Sequence, residues 1–574
     1  MQSHASTSEF LVIARNYVIA SAVLVATLAG VAPTPRISQK DRDSLATPVV
    51  ASSGMVSSAH PLATQAGVAV LAAGGNAFDA AVAVAAALNV VEPMMSGIGG
   101  YGTIVIFDAK KGEARFLNSS GRIPATLNSD VFRAPTPNYL ANRVGARSVS
   151  TPGNVAAWEA LSKEYGKLQW PRLFDAAIKL ADEGFVVSGT TAGLIASAYS
   201  SFPDHAKEVY GRAGHPLKSG ERLVQKDLAR SLRMIAEQGA KAVNGGELGK
   251  AIDSAMREAG GFLSLDDLRR NRAEWYKPIS INYRGHRIVT ASPPANAFDF
   301  LVRLGIMSRF DVADLGHNSS PYLHRFAEAT KHGFWVRLRY AGDPEVSTPP
   351  LSTLLSEKYW TEEAEKIDPD HARPFEQPKA TSSQGQHTTH FVVADRWGNV
   401  VSATQTLGNL FGSRIMPKGT GIWLNNSLAY STFEPKGNPM DAFPGRHKLS
   451  GDCPTIILRY GRPWVAIGTP GGHTIGQTVP QMVMNLIDFK MNILEAIVAG
   501  RISFIEPDTI AVEESIPSEV REELTAMGHK IRVVRALGNA HGLAIEYDAA
   551  GKPMRFTGGA DPRGEGAAAG YSPD

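Results

Sequence analysis

From Ala51 onward the chain alternates two kinds of pattern. "GMVSSAHPLATQAGVAVLAAGGNAFDAAVAVAAALNVVEP" holds two runs rich in Ala, Val and Leu at helical spacing, divided by "AGGN", whose Gly74 and Gly75 suit a helix C-cap. Both predicted helices are apolar nearly all round, which places them inside a layered structure and packed on two sides. Residues 103–124, "TIVIFDAKKGEARFLNSSGRIP", read as a hairpin turning at Lys110 to Gly112. Between residues 153 and 275 the period changes to amphipathic helices such as "AAWEALSKEYG" and "DLARSLRMIAEQGA". A polar connection, "PDHARPFEQPKATSSQGQH" (369–387), then separates this helix-rich half from a β-rich half that begins at Thr388. "RPWVAIGTPGG", "TVPQMVMNLIDF" and "IRVVRALGNAHGLAIEYD" continue that half as strand, helix and closing strands. The whole predicts one α/β unit of mixed sheets and helices, with no internal repeat.

The amino terminus stands apart from these patterns. "YVIASAVLVATLAGVA" (17–32) is apolar, follows Arg15 and ends in the small residues Gly30 and Ala32, the composition of an export signal. Residues 1–47 are thus expected to be signal and linker, with the mature domain starting near residue 48 in a periplasmic or secreted protein. An uncleaved anchor is the alternative, because Pro33 is a poor residue after a cleavage site. No later segment is apolar enough to span a bilayer, so no membrane association is expected after signal removal.

Composition narrows the chemistry. A hydrophobic content of 43% supplies a large core, and 58 Lys+Arg against 55 Asp+Glu leave a formal charge of +3 with neither sign in long blocks. The electrostatic footprint of a nucleic-acid binder is missing, and small-molecule or peptide chemistry is the better expectation. The single cysteine, Cys453, excludes an intramolecular disulfide and any multi-cysteine metal site. It precedes Pro454 in an apolar segment with no evident base, which reads as a structural thiol.

The abrupt change at "GQHTTHFVVAD" (385–395) carries the main functional signal. "TTHFVVAD" and "VVSATQT" flank "RWGN", whose Gly398 and Asn399 suit the turn of an antiparallel hairpin. Folding about that turn pairs residues whose numbers sum to about 795, so Thr388 faces Thr406 or Leu407, and cross-strand Cβ atoms roughly 4.5–5.5 Å apart bring two hydroxyls together. Taken singly, each threonine is an ordinary strand residue. The long loop before them changes that reading, since connections above about 15 residues inside a compact protein need a reason. A cut between His387 and Thr388 would leave Thr388 with both a nucleophilic hydroxyl and a free α-amine able to act as its base. "GTPGG" offers backbone N–H groups at Gly471 and Gly472 for an oxyanion. Thr389, on the opposite face by strand alternation, has no predicted role.

"HPLATQAGVAVLAAGGNAFDAAVAVAAALNVVEPMMSGIGG", "PYLHRFAEATKHGFWVRLRYAGDP", "TTHFVVADRWGNVVSATQT", "GTGIWLNN", "GTPGG" and "GADPRGEGAAAGY" together resemble the γ-glutamyltranspeptidases (glutathione hydrolases) of the N-terminal nucleophile hydrolase superfamily, over residues 51–573 in order. The resemblance implies a proenzyme that cuts itself before Thr388, giving a large subunit (48–387) and a small subunit (388–574) that form a heterodimer with an αββα sandwich fold. It implies transfer of a γ-glutamyl group from an amide or peptide to water or an amine through an acyl-enzyme, with no cofactor. By position, Thr388 resembles the nucleophile, Thr406 the hydroxyl that hydrogen-bonds it, and Gly471 and Gly472 the oxyanion hole. Ser450 falls on one of two serines that hold the substrate carboxylate, and Gly451 stands where the other would be. Arg501 and Arg563 match arginines with a structural role near the processing site.

Three departures bear on the substrate. Ser120 stands where the family has an arginine for the α-carboxylate, with Arg122 as the nearest cation in the sequence. Gly408, followed by Asn409, replaces an asparagine beyond Thr406, and "NNSLAYS" offers Ser427 and Tyr430 where the family has an acid for the α-amino group. Loss of a buried counter-ion weakens recognition of a zwitterion, so acylases of the cephalosporin-acylase or oxamate-amidohydrolase kind are competing expectations. An unprocessed, non-catalytic binder of amino acids or peptides is a third.

Other motifs carry less. His324, Glu328 and His332 share a helix face at i, i+4 and i+8, but one face does not readily supply three ligands over two turns, and no metal is expected. "GGELGKA" (245–251) has the wrong spacing for a phosphate loop and reads as a turn before a helix. "SGIGGYG" (96–102) lacks the strand before and helix after of a dinucleotide fingerprint and reads as close backbone packing near the site.

Overall fold

The computed structural model describes residues 47–375 and 387–573. The expected export segment and residues 376–386 of the polar connection lie outside the described residues. The chain divides into two units, Met1–Thr47 and Pro48–Asp574, and the second holds the fold.

Two seven-stranded antiparallel sheets form its centre. One runs in the order Ala567–Gly570, Gly54–Ser58, His387–Asp395, Val400–Gly408, Tyr101–Asp108, Glu113–Asn118 and Glu274–Tyr276. The other runs Val49–Ala51, Pro553–Ala560, His541–Tyr547, Arg462–Gly468, Thr455–Arg459, His286–Thr290 and Ile279–Tyr283. The two-residue period of the strands builds the layers. Val392, Ala394 and Val400 of the first sheet share one buried cluster with Ile456, Ala466 and Leu543 of the second, so the sheets pack against each other. Phe391, Val393, Val401 and Ala403 turn the other way, into a cluster with helices Pro61–Ala72 and Ala77–Val91. Ile457, Val465 and Ile467 meet helices Phe298–Met307, Ser320–Tyr340 and Ile475–Ile487 on the outer side of the second sheet. Helix, sheet, sheet, helix is the αββα sandwich that the resemblance implied.

The apolar helices behave as their pattern predicts. Every residue of Ala77–Val91 is buried, and a capping box of Asn76 and Asp79 starts it, while Gly74 at φ +88° ends the helix before it. The hairpin of residues 103–124 turns between Asp108 and Glu113 as expected, and "GGELGKA" opens helix Glu247–Glu258. In Ile475–Ile487, Pro480 gives no N–H to the carbonyl of Gly476. Arg303 Nη1 donates to that carbonyl at 3.0 Å, and its guanidinium pairs with Asp299 at 2.9 Å.

The two sheets draw strands from both sides of the polar connection. Val49–Ala51, Gly54–Ser58, Tyr101–Asp108, Glu113–Asn118, Glu274–Tyr276, Ile279–Tyr283 and His286–Thr290 all precede residue 387, and they interleave with later strands in both sheets. Long helical stretches part these strands in the chain, which hides their common sheets from a reading of local pattern.

Candidate active site

The hairpin His387–Asp395 and Val400–Gly408 lies at the centre of the first sheet, with Gly398 at φ +88° in its turn. Its register pairs Thr389 with Gln405 and His390 with Thr404, and a bulge between His387 and Thr389 lets His387 face Gly408. Thr388 is left opposite Thr406. Its Oγ1 donates to Thr406 Oγ1 at 3.2 Å. Thr406 Oγ1 in turn accepts from the Gly408 N–H at 2.8 Å and donates to the carbonyl of His387 at 2.7 Å. One hydroxyl thus touches both the Thr388 side chain and the carbonyl of the peptide bond before it. The glycine turn of "SGIGGYG" permits this approach, because a Cβ at Gly100 would lie 2.5 Å from the Thr406 carbonyl.

Thr388 is buried and faces two clefts. One, of about 530 Å³ including space open to solvent, is also lined by Tyr101, Arg337, Tyr430, Lys448, Ser450, Gly451, Asp452 and Gly472. The other, of about 1190 Å³ on the same measure, is lined by Glu92, Gly471, Phe504, Arg532, Leu537, Gly538 and Asn539. Gly471 and Gly472 stand where the clefts meet, at φ +137° and +59°, conformations that favour glycine. They open a short 3₁₀ turn, Gly472–Thr474, that leads into helix Ile475–Ile487.

Arg501 and Arg563 brace the second cleft from behind. Arg501 is fully buried, bonded to Asp561 Oδ2 at 2.7 Å and to the Leu537 carbonyl at 2.6 Å. Arg563 grips Glu513 through Nε at 2.8 Å and Asp561 Oδ1 at 3.0 Å. The two carboxylates hold the backbone N–H groups of Leu537 and Ala540 at 2.6 and 2.9 Å, and Asn539 N donates to Thr469 at 3.0 Å, just before the glycine turn.

The expected substrate residues divide. Ser450, Gly451 and Tyr430 line the first cleft with Thr388 and Thr406. Ser120 is buried but does not line it, and its Oγ has no partner among the described residues. Arg122 is a correction: it pairs with Glu274 at 3.1 Å and Glu345 at 2.9 Å and lines a separate cavity, so its charge is already met. Ser427 donates to Ser150 at 2.5 Å inside the fold, and Asn409 is fastened by its N–H to Asn426 at 2.8 Å. Neither lines the first cleft.

Sequence reasoning missed Tyr101, Arg337, Lys448 and Asp452 in the first cleft. Burial pushes the Lys448 ammonium well down and the Asp452 carboxyl up, while each partly holds the other's charge. Their signal was two opposite charges flanking "LSG", just before the apolar strand "TIIL". Thr389 is on the opposite face as expected, and its hydroxyl donates to Glu92 at 2.8 Å, a carboxyl that burial lifts to about 7.

Cys453 is buried, its thiol 3.3 Å from the Gly451 carbonyl and raised by burial. His332 leaves the predicted helix-face set for Tyr359 at 2.8 Å, whereas His529 joins His324 and Glu328 within 4.8 Å. The Lys331 ammonium occupies Glu328 at 2.5 Å in that cluster.

An αββα sandwich with a threonine hydroxyl at the head of a central strand, beside a glycine turn, defines the class of N-terminal nucleophile hydrolases. The sequence profile described as Gamma-glutamyltranspeptidase matches residues 63–571. The chain is 34% identical over 552 residues to the glutathione hydrolase proenzyme of Bacillus subtilis (strain 168), covering 91% of this chain and 92% of that protein. It is 35% identical over 551 residues to the Acylase ACY 1 proenzyme of Pseudomonas sp. (strain SE83), covering 92% and 97%. The crystal structure of cephalosporin acylase from Bacillus halodurans superposes with a TM-score of 0.85 at 30% identity, covering 95% of this chain and 99% of that one. The chain belongs to the γ-glutamyltranspeptidase family, whose similar members include hydrolase and acylase proenzymes.

Proposed function

We propose that the chain cuts itself between His387 and Thr388 and that the freed Thr388 then hydrolyses or transfers acyl groups from γ-glutamyl amides of the glutathione type. The observation that carries this reading is the shared Thr406 hydroxyl, bonded to both Thr388 Oγ1 and the His387 carbonyl. In the precursor, Thr388 Oγ1 attacks the carbonyl carbon of His387, and the Thr406 hydroxyl donates to the oxygen as negative charge develops there. The new C–O bond replaces the C–N bond, and the hydroxyl proton ends on the nitrogen, which becomes the α-amine. Water then cleaves the ester, leaving a carboxylate on His387.

In the mature enzyme the Thr388 amine takes the hydroxyl proton as Oγ1 attacks a substrate amide, while the N–H groups at Gly471 and Gly472 receive the oxyanion. The amine component leaves with the proton, and water or a second amine takes the acyl group. Arg501 and Arg563 hold the wall of the cleft rather than the substrate. Residues 17–32 fit export of the precursor, and among the described residues no helix is long and apolar enough to cross a membrane. A second reading, an acylase for a non-glutamyl acyl group, is favoured by Ser120 lying off the cleft and by the likeness to Acylase ACY 1.

Intact-mass measurement tests the core of this reading. The purified wild type is expected as two fragments meeting at His387/Thr388, with turnover of a γ-glutamyl anilide, and Thr388→Ala as one uncut, inactive chain. Efficient cutting of Thr388→Ala would mean that the nucleophile lies elsewhere.

A further inference from the structure

The first cleft presents opposite charges that do not satisfy each other. Lys448 and Asp452 are 2% and 6% exposed, and both line the cleft with Thr388. They interact through space, yet neither forms an ion pair within 4 Å among the described residues. The Lys448 ammonium is instead held between aromatic faces, 4.5 Å from the centre of the Tyr101 ring and 5.1 Å from that of Tyr430. Asp452 is met by hydroxyls and not by a cation: the Thr103 hydroxyl lies 3.4 Å from Oδ2, and the Ser450 side chain also bonds the carboxylate. Burying a cation and an anion without joining them is costly, and a structural pair of such charges closes to contact. Arg337, also lining the cleft, has a buried Nη1 with no partner among the described residues. Ser450 and Gly451 complete the arc between the two charges, and at Gly451 a Cβ would meet only Arg337, at 4.0 Å.

We propose that Lys448 and Asp452 are the specificity-determining pair of this cleft: with Arg337, Lys448 takes the carboxylate, and Asp452 takes the ammonium, of an acyl group that ends in a zwitterionic α-amino acid. The inference rests on the acyl-Thr388 reading and names the end of the substrate far from the scissile bond. The amino-acid end is thus gripped by residues of the 448–452 loop and not by Ser120, which lies off the cleft, or Arg122, which is neutralised. Tyr430 is the wall that holds Lys448 in place. A site whose buried charges stay unmet by an incomplete ligand rejects that ligand strongly.

The test compares three ligands and two substrates on the purified, self-cut enzyme. In calorimetry, L-glutamate is expected to bind at least about ten-fold more tightly than glutarate, which lacks the ammonium, or 4-aminobutyrate, which lacks the α-carboxylate. In turnover, a γ-glutamyl anilide is expected to exceed a glutaryl anilide in kcat/KM by about ten-fold or more. Asp452→Asn should erase that preference by raising KM for the γ-glutamyl substrate alone. Lys448→Met should raise KM for both, and Lys448→Arg should restore both to within a few-fold. Self-cutting of each variant reports that it folds. Glutarate binding as tightly as L-glutamate to the wild type, or an unchanged preference in Asp452→Asn, would overturn the proposal. An uncut wild-type chain would instead count against the Thr388 reading, and the calorimetric comparison still decides the role of the pair.

Discussion

At the scale of single residues, Thr388 was legible because two local signals meet there, a hairpin that brings Thr406 opposite and a long polar loop that ends just before it. Its neighbours were not, because their roles depend on what tertiary packing brings near. Arg122 is the nearest cation in sequence to Ser120, yet Glu274 and Glu345, more than a hundred residues away, neutralise it. Thr389 looks like any strand threonine until Glu92, at the end of helix Ala77–Val91, is placed beneath its hydroxyl. Glu92 gives a prediction of its own. Burial raises its pKa from an ordinary 4.5 to about 7, against the Thr389 hydrogen bond that lowers it and with Glu565 adding to the rise. A carboxyl raised on folding binds its proton more tightly in the native state, so its ionisation subtracts stability as pH climbs from 4.5 through 7. Glu92→Gln, neutral at every pH, is therefore expected to gain roughly 1–3 kcal/mol over the wild type at pH 8 and much less at pH 5. Thermal unfolding at the two pH values reads the difference, and an equal shift at both would mean that Glu92 titrates like an exposed carboxyl.

At the scale of elements, the strongly periodic segments fall where their pattern puts them, since an all-apolar helix has nowhere to go but between layers and a Gly-Asn turn closes a hairpin locally. Loops defy this reading, and the 445–452 loop carries two charges of the first cleft, Lys448 and Asp452. Its position depends on His447, which sits between two carboxylates, 3.1 Å from Asp343 and 3.1 Å from Glu274. Burial alone would lower this imidazole, but the hydrogen bonds to Asp343 and Glu274 prevail and lift it to about 9. Glu274 is driven down to about 2, chiefly by His447 itself. A base whose folded pKa is raised contributes stability that is fully present below its unfolded pKa of about 6.5 and is lost as pH rises through about 9. His447→Gln, which cannot be protonated, should thus melt well below the wild type at pH 6, with the gap closing as pH passes 9. A gap that stays constant from pH 6 to pH 10 would show that shape, not charge, makes His447 hold the loop.

At the scale of the whole molecule, interleaving explains how a chain cut between His387 and Thr388, as proposed, would remain one enzyme. Gly54–Ser58 lies between Ala567–Gly570 and His387–Asp395, so strands from both sides of the cut share every backbone ladder at that end of the sheet. A new terminus at Thr388 would stay seated because the ladder on both flanks of its strand persists. What still needs fixing is the wall behind Thr388, and the four buried charges Arg501, Asp561, Arg563 and Glu513 supply it. Both Arg501 and Asp561 side chains are fully buried in contact at 2.7 Å, so removing Arg501 leaves Asp561 Oδ2 buried without its cation while Arg563 keeps only Oδ1. Arg501→Met is therefore expected to cost about 3–5 kcal/mol in unfolding free energy, measured in urea on the uncut Thr388→Ala background so that cleavage does not confound stability. The double variant Arg501→Met/Asp561→Leu should recover part of that loss, because no unpaired charge is left, although Arg563 then loses one of its two acidic partners. On the wild-type background the same double variant should still cut more slowly, since Asp561 also fixes the Ala540 N–H of the cleft wall. If stability and cutting rate both returned in full, the network would be a packing device alone and the geometry of the Thr388 cleft would not depend on it.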